Sequence, residues 1–168
     1  MSSMTSTPSG AAVSALQPLP LTWTKVALSG ECSAEYLVII VDASILANAL
    51  ADDEEAGGTA RGVLRAAGEF AAPDLVDVET VSVLRKRWLR GTLTEQRFVA
   101  AINHLQQLSF ARVPTLRLVP RAFELRANVS SYDACYVALA ERLGCELVTA
   151  DGRLAAATGP LCPIRVLR

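Results

Sequence analysis

The chain has 168 residues, of which 51% are apolar and 20% charged, and its formal net charge is −1. This length provides one domain with a buried core and is too short for two, and the composition is that of an ordinary globular protein. No apolar run approaches the ~20 residues of a membrane-spanning helix, and the first basic residue is Lys25. We therefore expect no membrane helix and no secretory signal, and we predict a cytoplasmic protein.

Residues 1–35 differ from the rest of the chain. They are rich in Ser, Thr, Ala, Pro and Gly, carry almost no charge and show no period. We interpret them as a mobile extension, or as the product of an upstream start codon, and assign them no function. The folded domain is predicted over residues 36–168.

The domain alternates strands and helices. In chain order the pattern predicts strand Leu37–Val41, helices Ser44–Ala51 and Gly57–Ala67, strand Glu69–Ala72, a helix from Pro73-Asp74 to Arg90, helix Thr94–Leu108, strand Leu116–Val119, helices Arg121–Ala127 and Ser131–Leu143, and strands Glu146–Thr149 and Ile164–Leu167. The continuous β-branched run at 37–41 is typical of a strand buried on both faces. This order predicts an α/β fold with a central, mainly parallel sheet covered by helices.

Helix ends follow from local residues. Asp74 and Thr94 are predicted N-caps, and Gly91 and Gly144 are predicted helix stops. Pro114 and Pro120 bound the strand predicted at 116–119.

The cysteines and the single histidine do not form a site. Cys32, Cys135, Cys145 and Cys162 have no C-x-x-C spacing and no nearby His, so we predict reduced thiols, with Cys135 and Cys145 buried. His104 lies in a polar helical stretch and is predicted to be solvated.

The near-zero net charge hides an asymmetry along the chain. Residues 31–79 hold eleven acids against Arg61 and Arg65, whereas residues 80–126 hold nine bases against Glu95 and Glu124. Carboxylates beside a basic tract are what a metal-dependent nuclease needs, for cations and for phosphates. Two solvated helix faces would produce the same pattern.

Two acids follow predicted strands. Asp42 comes directly after the first strand, and Asp151 follows the strand Glu146–Thr149. Ligands of parallel sheets bind at the carboxyl ends of strands, so both acids are placed where a site would form. Glu79 and Asp133 interrupt otherwise apolar helix faces.

Each acid also has a purely structural explanation. Asp42 could close a turn, Asp151 precedes a glycine as in many turns, Asp133 could form a capping box with Ser130, and Glu79 could be a surface acid. All four together are harder to explain so, because clustered carboxylates repel and need a compensating cation. Mg²⁺ or Mn²⁺ is the natural partner of such oxygens.

Four motifs in order resemble a known family. They are Val41-Asp-Ala-Ser44, residues 73–79 with Leu84 and Gly91–Thr94, Ser131-Tyr-Asp-Ala134 with Ala138–Ala140, and Val148-Thr-Ala-Asp151. Their order and spacing resemble the PIN domain and, within it, the VapC toxins of toxin–antitoxin systems. The resemblance covers residues 36–168, and residues 1–35 have no counterpart in the family pattern.

The resemblance implies a PIN-like three-layer sandwich and a Mg²⁺- or Mn²⁺-dependent endoribonuclease that acts by metal-assisted hydrolysis with one or two ions. It implies that the metal site and catalytic residues are Asp42, Glu79, Asp133 and Asp151. Ser44 and Thr149 would support the carboxylates, and Asp77 is a weaker candidate. The tract predicted to hold the RNA backbone comprises Arg85, Lys86, Arg87 and Arg90, with Arg97.

The resemblance also implies partners and leaves alternatives. The implied partners are RNA, a cognate VapB-type antitoxin that crosses the acidic groove, and a second copy of the chain. One alternative is a PIN nuclease of RNA processing without a toxin role, and another is a non-catalytic PIN-like interaction module. A phosphatase or flavodoxin-like domain fits poorly, because Ser44 stands where an Asp-x-Asp motif needs its second acid and no glycine loop follows the first strand.

Overall fold

The structure is a computed structural model that describes residues 38–168. Its strands are β1 Val38–Val41, β2 Glu69–Pro73, β3 Ala111–Val113, β4 Glu146–Thr149 and β5 Ile164–Val166. Its α-helices are α1 Ala43–Ala51, α2 Glu55–Ala67, α3 Val76–Leu89, α4 Glu95–Gln107, α5 Val119–Glu124, α6 Ser131–Leu143 and α7 Gly152–Ala156. The extension predicted at 1–35 and the domain start at Tyr36 lie outside the described residues.

The five strands form one parallel sheet in the order β3-β2-β1-β4-β5. Ile40 of β1 pairs with Ala71 on one side and with Leu147 on the other. The predicted α/β fold with a parallel sheet covered by helices is confirmed. The chain extends the sheet from β1 in one direction through β2 and β3, then returns to add β4 and β5 on the opposite side. The carboxyl ends of β1 and β4 therefore form the switch point at which α/β proteins open a crevice.

The core explains why β1 and α6 have such apolar sequences. All four residues of β1 are buried, since it is the central strand and helices cover both of its faces. In α6 every residue from Ala134 to Ala140 is buried, as expected for a helix with neighbours all round. Cys135 and Cys145 are buried as predicted, and His104 is exposed as predicted.

The strand predicted at Leu116–Val119 is wrong. This segment contains a 3-10 turn at Thr115–Arg117 and the start of α5, and Leu116 is 82% exposed. Pro120 lies in the first turn of α5, where its missing N–H costs nothing. The strand in this region is β3, which pairs with β2. Helix α7 had not been predicted.

The predicted helix ends are confirmed except at Asp74. Thr94 caps α4 by accepting from the Arg97 backbone N–H, and Gly91 and Gly144 have the positive φ values of helix stops. Asp74 does not cap α3, which begins at Val76. Its carboxylate accepts instead from the backbone N–H and the hydroxyl of Thr115, and so ties the end of β2 to the 3-10 turn. None of the helices within residues 38–168 combines the length and the apolar composition needed to cross a membrane.

Candidate active site

Four acidic side chains line one cavity of about 210 Å³ at the carboxyl edge of the sheet. They are the four acids predicted from the sequence, Asp42, Glu79, Asp133 and Asp151. The other lining residues are Ala43, Ser44, Ser82, Val83, Lys86 and Tyr136. The four acids are far apart in the sequence and are brought together because each lies at the start of a different helix.

Each acid occupies the N-terminal end of a helix. Asp42 follows β1 and is the N-cap of α1, and Asp151 follows β4 and is the N-cap of α7. Glu79 and Asp133 lie in the first turns of α3 and α6. The partial positive charge at a helix N-terminus favours nearby carboxylates. Four such ends pointing at one cavity help the fold to tolerate this density of negative charge.

Asp42 is the most enclosed of the four acids, with an exposure of 8%. One carboxylate oxygen accepts from the Ser44 backbone N–H at 3.0 Å, the Ser44 hydroxyl at 2.6 Å and the Ile45 N–H at 3.1 Å, and the other accepts from the Thr149 hydroxyl. Burial raises the pKa of Asp42 in spite of these hydrogen bonds. Its charged form is therefore oriented by hydrogen bonds but poorly solvated, and a nearby positive charge would stabilise it.

The hydroxyls of Ser44 and Thr149 connect the two strand ends. Besides donating to Asp42, Ser44 Oγ accepts from the Ala150 backbone N–H at 3.0 Å, and Thr149 Oγ1 accepts from the Asp151 backbone N–H at 2.9 Å. Both contacts fit the supporting role predicted for these two residues.

Glu79 lies between like charges and a phenol. The Tyr136 hydroxyl donates to Glu79 Oε2 at 2.6 Å. Burial is the largest influence on the pKa of Glu79 and raises it, the charges of Asp133 and Asp42 raise it further, and Lys86 lowers it. These mutual effects indicate that the acids interact electrostatically across the cavity.

The remaining two acids also have structural partners. Ser130 caps α6, since the Asp133 N–H donates to Ser130 Oγ at 3.2 Å, but the predicted capping box is incomplete: the Asp133 carboxylate accepts from the Ser130 hydroxyl at 2.7 Å and not from the Ser130 backbone N–H. Arg153 donates to both oxygens of Asp151 and lowers the pKa of that carboxyl. Asp133 and Asp151 thus take part in hydrogen bonds at the starts of α6 and α7 and also line the cavity.

The predicted basic tract divides between the cavity and other surfaces. Lys86 lines the cavity, and Arg90 is exposed four residues further along the same stripe of α3. Arg85 is exposed on another side of the helix. Arg87 donates to the side chain of Asn48 in α1 and faces away from the acids.

Two weaker predictions lie outside the cavity. Arg97 pairs with Asp53 at 2.6 Å, beside the connection between α1 and α2. Asp77 forms a double hydrogen bond with Arg112, which joins α3 to β3. Neither residue is among those that line the acidic cavity.

The donor chemistry of the cavity fits a hard divalent cation, which prefers carboxylate oxygens and water. Within residues 38–168, however, no three Asp, Glu, His or Cys side chains are placed so that they would hold one ion. Each acid is instead held by hydrogen bonds from the protein, and Arg153 occupies both oxygens of Asp151. An ion held by three or more of these acids therefore requires some of the side chains to rotate, among them that of Asp151, which has to part from Arg153.

Tyr136 and Arg153 contact the acids of the cavity but were not predicted from the sequence. Tyr136 lies in an apolar helix segment, where a tyrosine is usually read as core. The one available signal is its spacing of three residues from Asp133, which places both side chains on one face of α6. Arg153 follows Asp151 by two residues, a spacing with no distinctive meaning in sequence.

Known proteins resemble this chain in sequence. The sequence profile of the PIN domain matches residues 39–160. Ribonuclease VapC9 of Mycobacterium tuberculosis is 43% identical over 130 residues, which span 77% of this chain and 98% of VapC9.

Two solved structures share the fold. VapC20 of Mycobacterium tuberculosis, described as a toxin that cleaves the sarcin-ricin loop, superposes with a TM-score of 0.55 at 24% identity, over 70% of this chain and 93% of VapC20. VapBC2 of Rickettsia felis, described as bound to a DNA fragment from its promoter, has a TM-score of 0.55 at 13% identity, over 79% of this chain and 100% of the matched chain.

Proposed function

This chain belongs to the PIN domain family, and within it to the VapC ribonucleases, and from that membership we propose that it is the toxin of a type II toxin–antitoxin pair, an endoribonuclease that depends on Mg²⁺ or Mn²⁺. The observation that carries the proposal is the cavity in which Asp42, Glu79, Asp133 and Asp151 meet at the sheet's switch point. Hydrolysis of a phosphodiester needs an activated water and positive charge near the phosphate, and clustered carboxylates supply that positive charge only through a cation.

The side chains divide this work. The four acids would hold the cation, and the cation would supply an activated water and compensation for the negative charge that develops on the phosphate. Ser44 and Thr149 keep the Asp42 carboxylate oriented through their hydroxyls. The proposed reaction needs no side-chain nucleophile.

The RNA backbone lies along the basic stripe of α3. Lys86 is at the cavity and Arg90 lies four residues beyond it, so phosphates that flank the scissile bond meet positive charge on leaving the acids. Arg85 is exposed on another side of the helix and adds only to the general positive field. Arg87 donates to the side chain of Asn48 and therefore contributes less to RNA binding.

The partners follow from the family and the charge of the cavity. A VapB-type antitoxin inhibits the enzyme by placing a basic segment across the acids, where it replaces the cation and blocks RNA. VapBC2 of Rickettsia felis, a toxin with its antitoxin, shares the fold. The chain also pairs with a second copy, for which exposed Val78, Val81 and Val99 on α3 and α4 provide apolar surface.

Cleavage of a mixed RNA pool tests the function. We expect the purified chain to cleave with Mg²⁺ or Mn²⁺ and to stop on addition of chelator. Glu79→Gln and Asp133→Asn should each lower the cleavage rate by about 10²-fold or more, because an electrostatic contribution of this kind is worth several kcal/mol. The products should be separated by length to show internal cuts.

Glu69→Gln is the matched control, since Glu69 is an exposed acid at the amino end of β2, the opposite edge of the sheet. It should cleave like the wild type. Cleavage that persists in chelator, or that is equal in wild type, Glu79→Gln and Asp133→Asn, would refute a metal-carboxylate mechanism. The non-catalytic interaction module would then be the better description.

A further inference from the structure

The hydroxyl of Tyr136 occupies the junction of three of the elements that carry the acids. Tyr136 lies on α6, one helical turn after Asp133, so the two side chains share a face. Its hydroxyl donates to Glu79 Oε2 on α3 at 2.6 Å. The backbone N–H of Ala43, the residue directly after Asp42, lies near the same hydroxyl and lowers its pKa slightly, against the larger effects that raise it. One side chain thus contacts Glu79 near the start of α3 and lines the same cavity as Asp42 and Ala43 at the start of α1.

The burial of this tyrosine makes its polar contacts significant. Tyr136 is 1% exposed, although it lines the cavity. A buried phenol that loses its partner incurs the full cost of desolvation, so this hydroxyl keeps its hydrogen bond with Glu79. The phenol ring is packed among core residues and has little freedom to move.

We propose that Tyr136 is a positioning residue that sets the orientation of the Glu79 carboxylate, so that one oxygen is fixed by the phenol and the other faces the cation. This proposal rests on the function proposed for the cavity, and it assigns a role to a residue outside the four acids and their Ser44 and Thr149 supports. The geometry favours it because the hydrogen bond occupies Oε2 and leaves Oε1 for a ligand. Outer partners of this kind commonly raise metal affinity 10- to 100-fold.

The direct test is Mn²⁺ binding by titration calorimetry, with the full chain in the wild-type and Tyr136→Phe forms. Phe keeps the ring in the core and removes only the oxygen. We expect Tyr136→Phe to bind Mn²⁺ about 10-fold more weakly. The Mn²⁺ concentration for half-maximal RNA cleavage should rise in parallel, while the rate at saturating Mn²⁺ recovers.

Tyr132→Phe is the matched control, because Tyr132 lies in the same helix with a ring that is 62% exposed. Its Mn²⁺ affinity should equal that of the wild type. Equal affinity in Tyr136→Phe as well would overturn the proposal. A chain that binds Mn²⁺ and cleaves RNA with that result would leave the proposed function intact and refute only the role of Tyr136.

A double-mutant cycle separates positioning from a general structural effect. If Tyr136 acts through Glu79, then Glu79→Ala and Glu79→Ala/Tyr136→Phe should bind Mn²⁺ equally weakly. If Tyr136→Phe weakens binding by the same factor with and without Glu79, the residue acts through the fold and the proposal is wrong. A wild-type chain that neither binds Mn²⁺ nor cleaves RNA would overturn both proposals.

Discussion

The protein around Asp42 and Glu79 disfavours their charged forms. Burial is the main cause at both positions, and neighbouring carboxylates add to it at Glu79. An acid whose folded-state pKa is raised binds a proton more readily in the folded chain than in the unfolded chain. The stability that it contributes is therefore present at low pH and is lost as the pH rises through the folded-state pKa. Without a compensating cation, the carboxylates of Asp42 and Glu79 therefore lower the stability of the protein at neutral pH.

Neutralising Glu79 should stabilise the metal-free protein. In chelator at neutral pH, we expect Glu79→Gln to raise the midpoint of thermal unfolding by about 1–2 °C, or roughly 0.5 kcal/mol, because solvent screens part of the effect at a half-buried group. Gln keeps an oxygen for the Tyr136 hydroxyl. The gain should shrink as the pH is lowered towards 4.5, the usual pKa of Glu, because the wild-type carboxyl is then protonated too. Scanning fluorimetry at both pH values measures this.

The exposed acid Glu69 provides the comparison. Glu69→Gln should leave the midpoint unchanged at both pH values. A lower midpoint for Glu79→Gln than for the wild type at neutral pH would contradict the argument. It would mean that the hydrogen bond from Tyr136 to a charged oxygen outweighs the combined cost of burial and repulsion.

At the scale of elements, a close contact with α2 fixes the C-terminal end of α1 and thereby the position of the whole helix. An added Cβ at Gly57 of α2 would lie 1.9 Å from the Asp52 carbonyl oxygen, at the end of α1. Arg61 of α2 donates to that carbonyl at 2.7 Å and to the Ala49 carbonyl at 3.1 Å. These contacts satisfy carbonyls that the helix end leaves without partners. The opposite end of α1 carries Asp42, so its position depends on this junction.

Gly57 and its neighbour Gly58 should respond oppositely to the same substitution. Gly57→Ala should destabilise the fold by about 2 kcal/mol or more, because backbone atoms have to move. Gly58→Ala should stabilise it by roughly 0.5–1 kcal/mol, since nothing lies within 4 Å of the added methyl and Ala is the better helix former. Urea unfolding of both variants measures the difference. Equal effects would show that α2 does not approach Asp52 so closely.

The elements that the sequence predicts well are those whose pattern reports burial. The β-branched run of β1 and the apolar stretch of α6 were identified because both are enclosed by neighbours. The prediction failed at residues 116–119, where two prolines looked like strand boundaries but one of them, Pro120, lies in the first turn of α5. Strand β3 was missed because it is only three residues long and lies at the edge of the sheet.

The site was predictable only in part, for a related reason. An acid directly after a strand can be recognised in the sequence as a site candidate, and Asp42 and Asp151 do lie at the carboxyl ends of the adjacent strands β1 and β4. Tyr136 carries no such signal, because its role depends on a hydrogen bond across 57 residues of sequence. Tertiary partners of this kind appear only when the elements are placed in space.

For the whole molecule, charge is arranged as a negative cavity beside a positive stripe. We expect Lys86→Ala/Arg90→Ala to weaken binding of single-stranded RNA and to reduce the slope of log affinity against log salt by about 1.4, or about 0.7 for each lost phosphate contact. Fluorescence anisotropy over a salt series, with chelator to prevent cleavage, measures both quantities. The cause is the loss of counterion release at two phosphates.

A pair of arginines elsewhere controls for net charge. Arg65 and Arg142 are exposed on α2 and α6, and neither is among the residues that line the acidic cavity. Arg65→Ala/Arg142→Ala should keep nearly the wild-type slope. If both double variants lower the slope equally, RNA is attracted by overall charge and the stripe of α3 is not its path.

The sheet order also has a consequence for synthesis of the protein. Strand β4 lies beside β1 but follows it by more than a hundred residues, and Asp151 lies beyond β4. A growing polypeptide that has been synthesised only as far as α6 contains three of the four acids. It lacks both β4 and the fourth acid, Asp151, which follows that strand. Interrupted translation therefore releases fragments that lack the assembled cavity. The complete acidic cavity therefore forms only after nearly the whole domain has been translated and folded.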